Sequence, residues 1–323
     1  MLKNLLPACL VAATLAPMMA TALAQAYPNQ PIRLIVPWPP GGGVDTSARI
    51  LQPALSERLQ QPVVIENKPG AGGNIGTEFA ARARPDGYTL LMGSVSPNAI
   101  NVHLYPRLGF DPAKDFAPIV FFTSVPNILV VPGNSAAASA QDVIAHAKAN
   151  PGKVNYGSAG IGSSQHLATS MLIAATGIDI VHVPYKGTGP AEMDLMAGHV
   201  AMMLDTTACL PFVAAGRMKA LAVASKARNP ALPNVPTFDE LGIAGVHSSS
   251  WYGLMAPAGV PAEVVLRINA EVNVIMRTPE MRKRLADFGG EPGGGSAEAF
   301  ARFVASETRR YADIVRSSGA RVE

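Results

Sequence analysis

The chain has 323 residues, with 26 Lys and Arg against 23 Asp and Glu for a net charge of +3, and it is 48% hydrophobic and 15% charged. A nearly balanced charge with no Lys/Arg run excludes a nucleic-acid footprint. A composition this apolar excludes a largely disordered chain.

The first predicted element is an export signal. Lys3 precedes an apolar run over residues 5–20, and the stretch closes on Ala22-Leu23-Ala24-Gln25. Positive charge, apolar core and an A-x-A site in that order predict a secretory signal peptide over residues 1–24, cleaved after Ala24. Pro7 and Pro17 interrupt the run, which makes a membrane anchor the poorer fit. Leu6-Pro7-Ala8-Cys9 resembles a lipidation box but lies too close to Met1, with most of the apolar core after it. No later stretch is long and apolar enough to span a bilayer. After cleavage one cysteine, Cys209, remains; it cannot form an internal disulfide and reads as a buried thiol.

Strand and helix signals then alternate. Ile32-Arg33-Leu34-Ile35-Val36, stopped by Pro37, predicts a strand. A Gly/Pro loop over 37–43 leads into a helix marked by Ala48, Leu51, Leu55 and Leu59 at helical spacing. Residues 63–66 predict a strand and 70–73 a loop; Ile75, Phe79 and Ala83 mark a helix, and 88–92 predicts a strand. Further strands are predicted at 128–131, 154–156, 181–183, 200–204 and 221–224, and helices at 140–149, 165–175 and 190–197. Thr237-x-x-Glu240 is a capping box opening a short helix. Pro261 takes a first helical position ahead of residues 264–276. Ser296 caps a long final helix whose stripe of Phe300, Phe303, Val304, Tyr311 and Val315 reads as core.

This alternation predicts an α/β protein with mostly parallel sheets built from βαβ units. Residues 127–131 and 250–256 are apolar, extended and bounded by loops. If both cross between lobes, residues 25–126 plus 248–323 form a discontinuous first lobe and 127–247 a continuous second one.

Four loops follow strands at the end where α/β sheets bind ligands. Trp38-Pro39-Pro40-Gly41-Gly42-Gly43-Val44-Asp45 lets the backbone approach a ligand and runs into a helix N-terminus, which suits an anion. Asp45 or Thr46 caps that helix, and Trp38 either walls a pocket or packs between lobes. Residues 94–101 are rich in hydroxyls and amides. Gly157-Ser158-Ala159-Gly160-Ile161-Gly162-Ser163-Ser164-Gln165-His166 again ends on a helix start, where Ser163 or Ser164 caps, or shares free N–H groups with an anion. Pro184-Tyr185-Lys186-Gly187-Thr188-Gly189-Pro190 carries Lys186, the one basic residue in these loops. A carboxylate held here would therefore rest on backbone N–H, hydroxyls and water and not on an arginine fork. There is no G-x-S-x-G, Walker A, H-E-x-x-H or C-x-x-C motif, and the six histidines lack metal-ligand spacing, so no cofactor or metal is expected. Ser163 and His166 are a weak candidate hydrolase pair, with no acid placed to orient the histidine.

The motifs Pro37-x-Pro39-Pro40-Gly41-Gly42-x-x-Asp45-x-x-Ala48-Arg49, Glu66-Asn67-Lys68-Pro69-Gly70-Ala71-Gly72-Gly73, Pro85-Asp86-Gly87-Tyr88-Thr89-Leu90, Tyr156-Gly157-Ser158-x-Gly160-x-Gly162-Ser163-x-x-His166-Leu167 and Val183-Pro184-Tyr185-Lys186-Gly187 resemble the Bug-type (TctC-like) receptors of tripartite tricarboxylate transporters, over the whole mature chain. The resemblance implies a two-lobed periplasmic binding protein of type II, a Venus-flytrap, holding a small organic carboxylate between its lobes. It implies ligand contacts from Trp38, Gly43, Ser94, Ser158, Gly162, Ser163 and Asp205, partly through water; Gly42, Asp45, Asn98, Ala159, His166 and Tyr185 complete the candidate set. Trp38 stands where many members have phenylalanine. The expected ligand is a mono- or dicarboxylate, an aromatic acid or an acidic amino acid. The expected partners are membrane permease subunits, the expected state a monomer, and the expected place the periplasm. A sensory adaptor for a membrane sensor kinase is the alternative, with a periplasmic hydrolase behind it.

Overall fold

The computed structural model describes residues 27–318, 320 and 322; the signal peptide expected over 1–24 lies outside them. Two sheets organise the chain. The first draws on β1 (Ile32–Val36), β2 (Val63–Asn67), β3 (Thr89–Ser94), β4 (Phe116–Pro126), β10 (Ser249–Pro257) and β11 (Glu291–Pro292), in the order β11-β4-β10-β3-β1-β2. The second draws on β5 (Ile128–Pro132), β6 (Val154–Ser158), β7 (Ile180–Pro184), β8 (Met202–Asp205) and β9 (Met218–Val223), in the order β7-β6-β8-β5-β9.

Both sheets are mixed, which corrects the expectation of mostly parallel ones. β1 pairs in parallel with β2 and β3, and β6 with β7 and β8. The strands next to the lobe junction, β4, β5 and β10, pair antiparallel. The reason is topological: a chain that leaves a sheet at one end and returns at the same end must run against its neighbours there.

Each sheet is covered on both faces, which is why its strands read as unbroken apolar runs. On the first sheet, α1 (Gly43–Leu59), α8 (Ala262–Arg277) and α9 (Pro279–Asp287) pack one side through Leu51, Leu55, Ile268 and Leu285. On the other side α2 (Asn74–Ala81), α3 (Asn101–Leu104) and α10 (Ala297–Ser318) bring Ala80, Leu104, Phe300 and Tyr311. In the second sheet α4 (Ala140–Ala149) and α5 (Ser164–Thr176) face α6 (Thr188–Ala197) and α7 (Leu210–Ala214) across the strands.

Four local expectations change. β4 is an eleven-residue strand that the sequence does not announce, because Pro118 and Pro126 read as breakers; Pro118 sits at a register shift against β10, where a strand tolerates proline. α2 forms, but Ile75 and Phe79 face outward, with Phe79 under Lys68 and Arg33, while Thr77 and Ala80 are buried. Thr237 and Glu240 make both capping-box bonds, yet the segment is a turn and not a helix. Of the two segments expected to cross, 127–131 and 250–256, residues 128–131 lie within β5 and 250–256 within β10, while Asn127 stands between the two sheets. The crossings are Asn127 and Ser248, which bond each other and Ala224: Asn127 N donates to Ser248 O, Ala224 N to Asn127 O and Ser248 N to Ala224 O, all at 2.8–2.9 Å.

Among the described residues no helix is long and apolar enough to cross a membrane, and no cluster of three or more His, Cys, Asp or Glu side chains is arranged to hold a metal. Cys209 is free and fully buried.

Candidate functional site

The carboxyl ends of β1, β3, β6, β7 and β8 meet at one cleft between the lobes. Trp38, Pro39, Gly42, Gly43, Ser94 and Ser96 line it from the first lobe, joined by Ser250 and Tyr252 of β10. Ala159, Ser163, Ser164, Gln165, Thr188, Gly189 and Thr206 line it from the second. No charged side chain is among the lining residues.

Three helices begin at this cleft. α1 starts after Gly42 and α6 after Gly187, neither with a side-chain cap; α5 starts after Ser163, whose hydroxyl accepts from His166 N. The first N–H groups of each helix have no partner inside the helix. The positive ends of three helix dipoles therefore point at one space, in surroundings that supply no competing charge. Glycine is required where the walls come closest. A Cβ on Gly43 would lie 2.3 Å from the Tyr252 hydroxyl, and Gly187, at φ +118°, would meet Pro39 at 2.8 Å across the lobes.

The lobes touch. Ser164 Oγ and Ser250 Oγ are hydrogen-bonded at 2.6 Å, Asn229 donates to Gly289 O at 2.8 Å, and Leu167 of α5 packs with Leu104 and Trp251 of the first lobe. The space left between the loops is about 40 Å³, room for about three waters.

The thirteen sequence candidates divide by position. Trp38, Gly42, Gly43, Ser94, Ala159 and Ser163 line the cleft; Asp45, Asn98, Ser158, Gly162, His166, Tyr185 and Asp205 are not among its lining residues. Trp38 Nε1 donates to Ser94 Oγ at 3.2 Å, so the indole edge is fixed. Asp45 accepts from Gly41 N, Arg49 and Asn67, which ties the glycine loop to the helix. Burial pushes its pKa up, but these hydrogen bonds outweigh burial and hold it below the usual carboxylate range. Asn98 Oδ1 accepts from Ser94 N at 3.1 Å. Ser158 Oγ pairs with His182 Nε2 at 2.7 Å and accepts from Gly160 N. Tyr185 donates to Asp194. The backbone of Ala159 is committed on both sides, its N–H to Gln165 Oε1 and its carbonyl to Gly187 N.

His166 does not pair with the Ser163 hydroxyl through its ring. Its Nδ1 accepts from Gly162 N, and its ring stacks on His182 at 4.2 Å and 5°, with Tyr156 on the far side of His182 at 4.8 Å. Burial lowers His166 to about 4; burial, then the neighbouring His166, lowers His182 to about 3. Both rings are neutral packing groups at neutral pH, and the Ser163 hydroxyl is not paired with the His166 imidazole as the hydrolase reading requires.

Sequence reading passed over Gln165, Thr188, Thr206, Ser250 and Tyr252 as site residues. Gln165 donates to Asp205 Oδ1 at 2.6 Å and to Thr188 Oγ1 at 3.3 Å.

Two sheets, a cleft at their strand ends and a wall of neutral donors define a two-lobed solute-binding receptor. Residues 47–320 match the model of the tripartite tricarboxylate transporter family receptor, and the chain belongs to that TctC/Bug family of receptors, which are binding proteins and not enzymes. The chain is similar to protein BugT of Bordetella pertussis, 37% identical over 306 residues that cover 94% of each chain. Its structure is similar to that of R. palustris Rpa4515 with adipate, with a TM-score of 0.89 and 36% identity over 92% of this chain and 100% of the other. It is likewise similar to MatC of Rhodopseudomonas palustris with bound malate, with a TM-score of 0.84 and 32% identity over 90% of this chain and 100% of the other.

Proposed function

We propose that this chain is a periplasmic receptor, exported by a signal peptide cleaved near Ala24, that captures a small dicarboxylate between its lobes as a monomer. It delivers the ligand to the permease subunits of a tripartite tricarboxylate transporter. The observation that carries this reading is the convergence of the N-termini of α1, α5 and α6 on a cleft with no charged lining residue. Free N–H groups and helix dipoles favour an anion, and neutral donors with water release it more readily than an arginine fork does. Two relatives with the same architecture have adipate or malate in their structures, which supports a dicarboxylate of four to six carbons.

Trp38, Gly43, Ser94, Ser163, Ser164 and Thr188 are the proposed contacts. Asp45, Asn98, Ser158, Gly162, His166, Tyr185 and Asp205 are proposed to hold the wall from behind. A cleft of about 40 Å³ does not admit such a ligand unless the lobes part, so capture includes hinge opening at Asn127 and Ser248. The test is a thermal-shift and calorimetric panel of malate, succinate, adipate, aromatic acids and acidic amino acids. A dicarboxylate raises the melting temperature and is recovered unchanged after long incubation. A panel without a single hit overturns the receptor reading.

A further inference from the structure

The second lobe's wall is backed by two carboxyl groups shut away from solvent. Asp205, at the end of β8, is 0% exposed, and Glu192, in the second turn of α6, is 4% exposed. Asp205 Oδ1 accepts from Gln165 Nε2 at 2.6 Å and from Thr206 N at 2.7 Å. Asp205 Oδ2 and Glu192 Oε1 are buried and have no hydrogen-bond partner, and each carboxyl acts on the other's protonation. Two adjacent carboxylates in such a place do not both ionise. One proton between them satisfies both orphan oxygens. Asp205 already accepts two N–H donors, which favour its charged form, so the proton belongs to Glu192.

An ionised Asp205 only accepts, and this leaves Gln165 a single orientation while the Glu192 proton lets the two carboxyls lie together. Loss of that proton sets two buried carboxylates against each other and drives Asp205 off the Gln165 amide. Gln165 Nε2 faces Asp205 and also reaches Thr188 Oγ1 at 3.3 Å; its Oε1 takes the Ala159 N–H. One amide thereby joins the loops after β6, β7 and β8, and each of those loops lines the cleft. The other titratable groups facing the pair are the Cys209 thiol and the Tyr252 hydroxyl. Burial pushes both up and the carboxylate charge adds to it, so neither carries charge while the pair titrates.

We propose that Asp205 is the positioning residue of this wall, and that the proton it shares with Glu192 keeps Gln165 in the orientation on which dicarboxylate binding depends. The binding part rests on the receptor reading above; the proton and the amide do not.

The test uses the full mature chain and the variants Glu192→Gln and Gln165→Leu. Infrared spectroscopy of ligand-free protein at neutral pH is expected to show the carbonyl band of a buried, protonated carboxylic acid, absent from Glu192→Gln. Side-chain amide NMR is expected to show the Gln165 signals moving as pH is raised through the titration of Glu192, and standing still in Glu192→Gln. A missing band, or Gln165 signals indifferent to pH, overturns the proposal whatever the ligand proves to be. Calorimetry with malate and adipate follows. Kd for the unaltered protein rises about tenfold across the same titration, as for a lost hydrogen bond to a charged group. Glu192→Gln gives a flat profile, because its amide donates to Asp205 at every pH, and Gln165→Leu binds weakly throughout. Superimposable pH profiles for the unaltered protein and Glu192→Gln overturn the link to binding. If neither acid binds, the receptor reading fails while the infrared and NMR results still decide the proton.

Discussion

The two lobes present similar neutral surfaces to the cleft and support them by opposite electrostatics. Behind the first lobe's loop stands a charge that is answered: Asp45 is ionised, with Arg49, Asn67 and Gly41 N around it. Behind the second lobe's loops stand groups whose charge is suppressed: His166 and His182 are neutral by burial, and Glu192 is pushed up by burial and by Asp205 beside it. An anion site without charged lining residues still needs polar scaffolding, and the scaffolding is either paired or kept neutral. The second solution titrates on both sides of neutrality, the first only in acid.

The comparison breaks most readily at Asp45. Asp45→Ala strands the Gly41 N–H, takes one of two acceptors from the Asn67 amide and frees Arg49 to water, and is expected to cost about 2 kcal/mol of unfolding free energy in urea. A loss below about 0.5 kcal/mol would mean that water takes over the role of the carboxylate.

The next test sets the lobes against each other across pH. His166 and His182 have folded-state pKa values below the unfolded one, so the unfolded chain binds protons first. Their contribution is intact above the unfolded value of 6.5 and is lost as pH falls toward about 4 and about 3. Glu192 is raised, so its contribution is complete below its unfolded value of 4.5 and drains away as pH rises through the folded one. Asp45, held low, loses its contribution only below 3.8. Hydrogen exchange should therefore show β6 and β8 losing protection on both sides of neutrality while β1 and β3 keep theirs. Parallel losses in both sheets would erase the distinction.

Smaller effects sharpen the comparison. Trp38→Phe removes the indole donor to Ser94 and is expected to weaken dicarboxylate binding by about 1 kcal/mol, read by calorimetry. Salt is expected to do least: with no charged lining residue, Kd at low and high ionic strength should agree within about twofold. A steep salt dependence would point to a distant charge that steers the ligand.

What could be read from the chain alone follows the same division. The loop from Trp38 to Asp45 is legible because glycine, proline and a following helix occupy consecutive positions. The second lobe's brace is not, because Gln165, Glu192 and Asp205 come from three elements and carry no shared motif. Ser250 and Tyr252 reach the cleft only through the pairing of β10 with β3 and β4, which no local pattern encodes. β4 hides behind Pro118, and α2 shows its Ile75 and Phe79 to solvent, so apolar spacing there marks the helix and misnames its buried face.

Asn127 has a mechanical consequence. It is the single residue between β4 and β5, so two strands joined nearly end to end turn about one α-carbon. Its backbone bonds to Ala224 and Ser248 form the spine of a book, and its side-chain amide reaches the carbonyls of Leu204 and Asp205 at 3.1 and 3.4 Å. Stiff strands act as lever arms, so a slight twist at the spine becomes a wide swing at the rim. If the lobes part about this spine as proposed, the same twist is transmitted through that amide to the strand end that carries Asp205.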